Sequence, residues 1–275
     1  MGGHPPTGGN PPTVITSVRN VHIQSARKLL KRGVRDARRE FLIEGAMGVS
    51  QALQSPGRVQ ALFLEESADN FPELASAARA RKVPIMEAAA PVMRVISSTT
   101  NPPGVVAVGE FLDFKPADLL SRSPGLVVVL AGVRDPGNAG TIVRSCAAVG
   151  VDALFLGETT VDVYNPKFVR ATAGTIFNLP FARNVEIPWL LEELGGLKVN
   201  RIAADPRGEV VYDQVDFRKP SALIVGNEAW GVTPETAAAA DVVVKIPMSE
   251  SVESLNVGMA ATVLLFEAAR QRRAV

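Results

Sequence analysis

The sequence predicts a two-domain α/β protein in which a smaller α/β domain precedes a larger one built on a parallel sheet. Two observations lead to this prediction. Short runs rich in Val, Ile and Leu alternate with helical patterns along the chain. In the C-terminal half these runs are apolar throughout, as strands are when helices cover both faces of a parallel sheet. With 275 residues, 47% of them hydrophobic, the chain is long enough to bury a core in each domain.

The first domain is expected at residues 15–113, after a flexible Gly- and Pro-rich tail at residues 1–14. Its expected strands are REFLIEG, VQALFLE, VPIME and GVVAVGEF, with helices near Met47 to Leu53 and near Phe71 to Arg81. The Pro- and Ser-containing stretch KPADLLSRSPG indicates a linker at residues 114–124. The second domain, residues 125–275, contains the apolar strands LVVVLAG, ALFLG, RIAAD, ALIVGNE and VVVKIP, and ends in a helix from about Leu255 to Arg270.

Composition excludes several classes of protein. No apolar run approaches the roughly 18 residues of a membrane span, and the N-terminus lacks the pattern of a signal peptide, so a soluble, cytoplasmic protein without membrane contact is expected. The single cysteine, Cys146, rules out an internal disulfide and is predicted to be buried in helix packing. The only histidines, His4 and His22, lie near the N-terminus, which argues against a Ser/His/Asp triad or histidine-ligated zinc in the C-terminal half.

Three segments of the C-terminal half carry an asparagine beside a predicted strand or helix end. They are DPGNAGTIVRS around Asn138, ALIVGNEAWG around Asn227, and IPMSESVESLNVGMAA around Asn256. Ligands of open α/β sheets bind at the carboxyl ends of the strands, and a helix N-terminus there favours anionic oxygens. Each segment alone also has a purely structural interpretation, with Asn138 capping one helix, Ser254 or Asn256 capping another, and Asn227 in a polar turn.

Together these segments resemble motifs one, two and three of the SpoU/TrmH branch of the SPOUT methyltransferases. The matching residues run from Asn138 to Arg144, from Gly226 to Glu228 with Gly231, and from Ser254 to Asn256, in the family's order and spacing. The segment NPKFVRATAGTIFNLP resembles the family's stretch between motifs one and two. REFLIEG and TTNPPGVVAV are similar to an RNA-binding domain shared with kink-turn-binding ribosomal proteins.

Members of this family methylate the ribose 2′-hydroxyl of RNA with S-adenosylmethionine, fold as a deep trefoil knot and form dimers. The resemblance therefore implies a knotted parallel-sheet domain preceded by an RNA-binding α/β domain, S-adenosylmethionine as cofactor, and a homodimer. It implies a catalytic set of Arg144, Asn138, Glu228, Ser254 and Asn256, and a donor site formed by Gly226, Asn227, Ile246, Leu255 and Asn256. No metal is expected, because the sulfonium of the donor already makes its methyl group electrophilic.

The expected role of Arg144 has two versions. The resemblance suggests a general base, yet a guanidinium has a pKa above about 12 and is essentially always protonated. The physical interpretation is a fixed cation that stabilises a developing alkoxide or holds the adjoining phosphate. The sequence is compatible with both.

A basic cluster near the N-terminus predicts where RNA binds. Between Arg19 and Arg39 the only acidic residue is Asp36, and the basic residues are Arg19, Arg27, Lys28, Lys31, Arg32, Arg35, Arg38 and Arg39. A basic helix near Lys28 to Arg39 is expected to hold the RNA backbone; the alternative is a solvated charged face.

The RNA class is predicted by analogy. Ribosomal RNA is favoured over tRNA, because an appended RNA-binding domain is typical of the ribosomal members. The alternatives are a tRNA methyltransferase and a non-catalytic RNA-binding protein on the knotted scaffold; the presence of every motif residue argues against the latter.

Overall fold

The computed structural model describes residues 14–55, 58–66 and 71–273, and the chain divides into two compact units, Met1–Glu110 and Phe111–Val275. The predicted flexible tail lies, apart from Val14, outside the described residues. None of the helices within those ranges combines the length and the apolar character that crossing a bilayer requires. The same ranges contain no group of three or more His, Cys, Asp or Glu side chains arranged to hold a metal ion.

In its described residues, the first unit contains a four-stranded sheet and five short helices. The strands are β1 (Glu40–Glu44), β2 (Val59–Glu65), β3 (Ile85–Ala88) and β4 (Val105–Glu110), and the helices are α1 (Val21–Lys28), α2 (Arg32–Arg38), α3 (Ala46–Gln54), α4 (Pro72–Ala80) and α5 (Ala90–Ile96). The sheet order is β1-β4-β2-β3, with β4 antiparallel to both neighbours and β2 parallel to β3. Each predicted strand in this half is present, as are the helices predicted near Met47 to Leu53 and near Phe71 to Arg81; the single basic helix expected near Lys28 to Arg39 is instead two, α1 and α2.

The second unit is a seven-stranded sheet with helices between its strands. The strands are β5 (Leu126–Leu130), β6 (Ala153–Gly157), β7 (Phe181–Val185), β8 (Asn200–Ala204), β9 (Val210–Val211), β10 (Ser221–Val225) and β11 (Val242–Lys245). The helices are α6 (Pro116–Leu120), α7 (Pro136–Val149), α8 (Pro166–Ala171), α9 (Ile187–Gly196), α10 (Pro234–Ala239) and α11 (Val257–Arg273). The order is β7-β6-β5-β10-β8-β11-β9, and neighbouring strands pair in parallel throughout. All residues of β5, β6 and β10 are buried, as the continuous apolar runs predict.

The segment predicted as a linker, residues 114–124, contains helix α6. Leu119 and Leu120 of this helix are buried in the core of the second unit, since their side chains pack with the strands there. The unit itself begins earlier, at Phe111, whose ring stacks on Tyr164 with centroids 3.7 Å apart. The Pro and Ser residues of this segment therefore flank a short packed helix.

Helix α7 is held between α8 and α11 by small and hydroxyl-bearing residues. A Cβ on Gly140 would come within 2.4 Å of the Ala171 Cβ, so only glycine allows this approach to α8. On the side facing α11, the hydroxyls of Ser145 and Thr262 lie 2.7 Å apart. Cys146 is fully buried, as predicted, and burial raises the pKa of its thiol. This packing fixes the start of α7 beside the start of α11.

Candidate active site

The candidate site lies at the carboxyl edge of the sheet in the second unit, where β5 and β10 end side by side. Leu130 pairs with Val225, and the Ala131 N–H donates to the Val225 carbonyl at 2.8 Å. Because the two strands are parallel, the loops that follow them leave the sheet from neighbouring points. The segments around Asn138 and Asn227 therefore meet here.

Asn227 shapes the loop after β10. Its N–H donates to the Gly231 carbonyl at 2.8 Å, and the Gly231 N–H donates back at 2.9 Å. Its side-chain Nδ2 donates to the Gly132 carbonyl at 2.9 Å, which joins this loop to the one after β5. The closure demands glycine at two positions, since Gly231 has φ +73 and a Cβ on Gly226 would lie 2.2 Å from the Gly231 carbonyl carbon.

A chain of hydrogen bonds links all three asparagine-bearing segments. The carboxylate of Glu228 accepts the N–H of Arg134 at 3.2 Å, the N–H of Asp135 at 3.0 Å and the Asn138 amide at 3.3 Å. Asn138 in turn accepts the Asn256 amide at 2.8 Å. Residues far apart in sequence are thus brought together, and Asn138, Glu228 and Asn256 are three members of the predicted catalytic set.

The charge of Glu228 is stabilised by these donors. Partial burial alone would raise the pKa of the carboxyl, but the backbone N–H groups of Asp135 and Arg134 and the Asn138 amide together lower it below the ordinary value of 4.5. Glu228 is therefore ionised at neutral pH and accepts hydrogen bonds only.

One of the two helix caps differs from the structural alternatives considered for the sequence, and the other agrees with them. Helix α7 is capped by Asp135, whose side chain accepts the Asn138 N–H at 2.9 Å, so Asn138 is not the cap. The Asn138 side chain instead hydrogen-bonds to Glu228 and Asn256. Asn256 does cap α11, accepting the N–H groups of Gly258 at 2.9 Å and Met259 at 3.2 Å through Oδ1. Its Nδ2 is the group that reaches Asn138.

A cavity of about 390 Å³ lies beside the hydrogen-bonded residues Glu228, Asn138 and Asn256. Its lining includes apolar side chains from four separate segments, namely Val225, Val244, Ile246, Leu255 and Leu264. Four of the predicted donor-binding residues line it: Gly226, Asn227, Ile246 and Leu255. The side chain of the fifth, Asn256, is turned to Asn138 instead.

The two remaining members of the predicted catalytic set are exposed. Ser254 is exposed and contributes to the lining of the cavity. Arg144 lies on α7, six residues after Asn138 and roughly 9 Å further along the axis at about 1.5 Å per residue. Within the described residues its guanidinium has no hydrogen-bond or ion-pair partner, and its charge faces solvent.

Sequence reasoning missed an ion pair that lines the cavity, in which the Asp205 carboxylate is buried and the Arg207 side chain is 74% exposed. The carboxylate of Asp205 accepts Nε and Nη2 of Arg207, both at 2.8 Å, and the backbone N–H of Arg207 at 2.9 Å. It also accepts the N–H of Val232, and the pKa of Asp205 falls below its ordinary value, chiefly because of the Arg207 side chain. Arg207 Nη2 also donates to the Trp230 carbonyl at 3.3 Å. A signal was available, because Asp205 directly follows the apolar run of β8 at the same sheet edge.

The basic cluster of the first unit forms two short helices, α1 and α2, where one was predicted. Most of its side chains are exposed, namely Arg19, Arg27, Lys28, Lys31, Arg32, Arg38 and Arg39. Arg35 differs: it is 3% exposed, and its Nη1 donates to the Leu29 carbonyl at 2.9 Å and the Leu30 carbonyl at 3.0 Å. Arg35 thus joins the two helices and is unavailable to RNA.

An apolar cavity beside a set of hydrogen-bonded polar side chains, at the carboxyl edge of a parallel sheet, is typical of a site for a small molecule or cofactor. Comparison with known proteins specifies the class. The SpoU rRNA Methylase family matches residues 125–266, and the MRM3-like substrate binding domain matches residues 20–107.

Individual relatives agree with this. The chain is 34% identical, over 94% of its length and 92% of the relative's, to a 23S rRNA (uridine(2479)-2′-O)-methyltransferase of Streptomyces viridochromogenes. It is similar to the crystal structure of an AdoMet-bound rRNA methyltransferase from Sinorhizobium meliloti, with a TM-score of 0.80 and 31% identity over 94% of this chain and 97% of that one. The chain is also similar to a solved structure reported for the 2-OH methylation of C/U34 on tRNA. That match covers 56% of this chain and 99% of the other, with a TM-score of 0.51 and 30% identity.

The chain belongs to the SpoU rRNA methylase family. It is an RNA 2′-O-ribose methyltransferase that uses S-adenosylmethionine, and the predicted fold class and cofactor are confirmed. The cavity fits this cofactor, because its volume lies within the range of small-molecule sites and its apolar walls and adjoining backbone groups suit an adenosine. S-adenosylmethionine supplies an electrophilic methyl group on a sulfonium.

Asp205→Asn is predicted to destabilise the second unit by about 2 kcal/mol at pH 7, because the hydrogen bonds that the buried, charged carboxylate accepts are weakened. The pKa of Asp205 is lowered in the folded state, so its contribution is present above the ordinary value of 3.8 and is lost as the pH falls through the lowered value. The difference from the parent protein should therefore shrink in acid. Urea unfolding followed by tryptophan fluorescence measures this unit, since both tryptophans lie in it.

Asp216→Asn is the matched control, because Asp216 pairs with Arg218 two residues later in the same way but is more exposed. It should cost much less stability. Equal losses for the two variants, or a loss in Asp205→Asn that does not change with pH, would contradict the prediction.

Proposed function

We propose that this enzyme methylates the ribose 2′-hydroxyl of a nucleotide in ribosomal RNA. The observation that carries the proposal is the hydrogen-bonded chain of Glu228, Asn138 and Asn256 beside an apolar cavity. The similarity to the rRNA methyltransferase relatives over both units supports ribosomal RNA, whereas the tRNA-related structure matches little more than half of the chain. We place the reaction in the cytoplasm.

The residues divide into three roles. Gly226, Ile246 and Leu255 hold the donor, and Asn227 shapes the loop that carries Gly226. The hydrogen-bonded residues Glu228, Asn138 and Asn256, with Ser254, orient the ribose, because they hold fixed donors and acceptors beside the cavity, which Glu228 and Ser254 line. Arg144 is a fixed cation that stabilises negative charge on the attacking oxygen. The acceleration then comes largely from alignment of hydroxyl, methyl and sulfur.

The test of the RNA class is a map of 2′-O-methylation in rRNA and tRNA from cells with and without this protein. The proposal expects one rRNA position to lose its methyl group and tRNA to be unchanged. Loss confined to tRNA would replace ribosomal RNA with the alternative substrate.

We propose that α11 forms the centre of a homodimer. Met259, Val263 and Phe266 are 63%, 36% and 48% exposed and stand at i, i+4 and i+7, so they form one apolar stripe on the helix. A second copy of the chain covers this stripe in an isologous contact.

Light scattering at micromolar concentration is predicted to give twice the chain mass of 29.1 kDa. Phe266→Glu should give monomers, because a charge is unfavourable at an apolar interface. Leu197→Glu, which changes an exposed leucine (46%) at the end of α9, should stay dimeric. A monomeric parent protein, or a dimeric Phe266→Glu variant, would count against α11 as the interface.

The exposed basic residues of α1 and α2 are proposed to bind the RNA backbone, with Arg35 excluded because it is buried. The variant Lys28→Ala/Lys31→Ala should weaken rRNA binding several-fold. It should also reduce the salt dependence of binding, by a slope of about 0.7–0.9 for each phosphate that the variant no longer neutralises. Donor affinity should be unchanged.

Arg79→Ala/Arg94→Ala is the control, since both arginines are exposed elsewhere in the first unit. Filter binding across a salt series compares the two double variants. If they behave alike, the cluster is only a solvated surface.

Arg144→Ala is predicted to reduce methyl transfer at least about a hundredfold, which corresponds to roughly 2.7 kcal/mol of transition-state stabilisation. The melting temperature and donor affinity should hardly change, because the side chain is exposed and does not line the cavity. Arg144→Lys distinguishes two roles: Lys partly replaces a simple charge but not a fork that grips ribose and phosphate together. Single-turnover transfer and donor titration are the measurements.

Arg122→Ala, which removes an exposed arginine stacked on Phe114, serves as the control and should leave transfer unchanged. Near-normal transfer by Arg144→Ala would remove Arg144 from the mechanism. A large fall in its melting temperature would assign it a structural role.

A further inference from the structure

Trp230 is an exposed indole at the rim of the cavity. It is 54% exposed, although it also contributes to the cavity lining. The apolar walls deeper in the cavity are different, since Val244 and Leu264 are each 1% exposed. The other tryptophan of the chain, Trp189, packs against the core of the second unit. An indole left this open beside a reaction site is suited to contact a second molecule.

The backbone that carries Trp230 is held rigidly. The next residue, Gly231, is closed onto Asn227 by two hydrogen bonds. The Trp230 carbonyl accepts Arg207 Nη2, and Arg207 is fixed by the buried carboxylate of Asp205. The indole is thus presented from a fixed loop, which lowers the conformational entropy lost when a ligand stacks on it.

Arg134 places a cation on the same ring. Its guanidinium carbon lies 5.5 Å from the centroid of the Trp230 ring, and its backbone N–H donates to Glu228. Within the described residues no carboxylate pairs with its side chain. An exposed indole with a guanidinium over its ring matches an unpaired nucleotide, whose base stacks on the indole and whose phosphate attracts the cation.

We propose that Trp230 and Arg134 form a stacking platform for an unpaired base of the RNA, at or next to the nucleotide that is methylated. The inference rests on the proposed function and adds to it a base-binding site beside the polar chain of Glu228. The charge of Arg134 favours RNA over a second copy of the chain as occupant. The exposure of the ring favours RNA over the methyl donor, which the buried walls enclose.

The test combines kinetics with fluorescence. The substrate is rRNA isolated from cells that lack this protein. Trp230→Ala should raise the KM for this rRNA by about ten- to a hundredfold, as expected for the loss of one stacked base. Trp230→Phe, which keeps an aromatic face, should stay within about threefold of the parent. Arg134→Ala should raise the same KM less, while Arg134→Lys recovers part of the loss.

In the fluorescence arm, a Trp189→Phe variant leaves Trp230 as the only tryptophan. A single-stranded uridylate hexamer should quench it at fixed salt, and an abasic hexamer of equal length should not. Phe114→Ala is the control variant, because Phe114 is an exposed ring with an arginine, Arg122, 5.0 Å from its centroid and does not line the cavity. Its KM should stay within about twofold of the parent.

Each contrary result has a distinct meaning. An unchanged KM in Trp230→Ala, or equal quenching by both hexamers, overturns the platform. If Trp230→Ala loses donor affinity while its KM for RNA is unchanged, Trp230 is a wall of the donor site. If the variant becomes monomeric, Trp230 is an interface residue. Either result also overturns the platform. Failure of the parent protein to methylate rRNA refutes the proposed function instead, and the fluorescence arm still decides whether Trp230 binds a base.

Discussion

The parallel pairing of β5 with β10 is the constraint on which the site depends. These strands are far apart in sequence, yet their last residues, Leu130 and Val225, are in register. Both strands are wholly buried, and a shift of one residue would move every side chain to the other face of the sheet, against different neighbours. Because the register is fixed, the loops that follow have fixed starting points. The distance between Glu228 and Asn138 follows from this register, and the packing of α11 on α7 brings Asn256 to them.

The hydrogen-bonded residues Glu228, Asn138 and Asn256 also stabilise the loops in which they lie. Glu228 accepts the backbone N–H groups of Arg134 and of Asp135, the residue that caps α7. Asn256 satisfies two more at the start of α11 while it donates to Asn138. The residues that we assign to positioning the ribose are therefore ordered before any substrate arrives. Such preorganisation is what lets fixed dipoles stabilise a transition state without reorganising during the reaction.

How far the sequence predicted the structure depended on how local each signal was. The long apolar strands were predicted because burial on both faces leaves an unbroken run. Strand β7 was missed because it lies at the sheet edge and contains Arg183 and Asn184, which interrupt the run. Arg35 was assigned to RNA because composition gives its charge but not its burial. Trp230 gave no periodic signal, since its importance comes from loops that tertiary pairing brings together.

The contrast between Arg207 and Arg144 shows how the fold distinguishes structural cations from available ones. Arg207 is bonded through two nitrogens to the buried carboxylate of Asp205, so its charge is balanced and its position supports the loop of Trp230. Arg144 has no partner among the described residues. An unbalanced guanidinium attracts phosphate and alkoxide oxygens more strongly than one already paired with a carboxylate. In the part of the chain that the structure describes, no carboxylate pairs with Arg144. Its charge is therefore not neutralised by a partner there, as we expect of a cation that acts on the ribose.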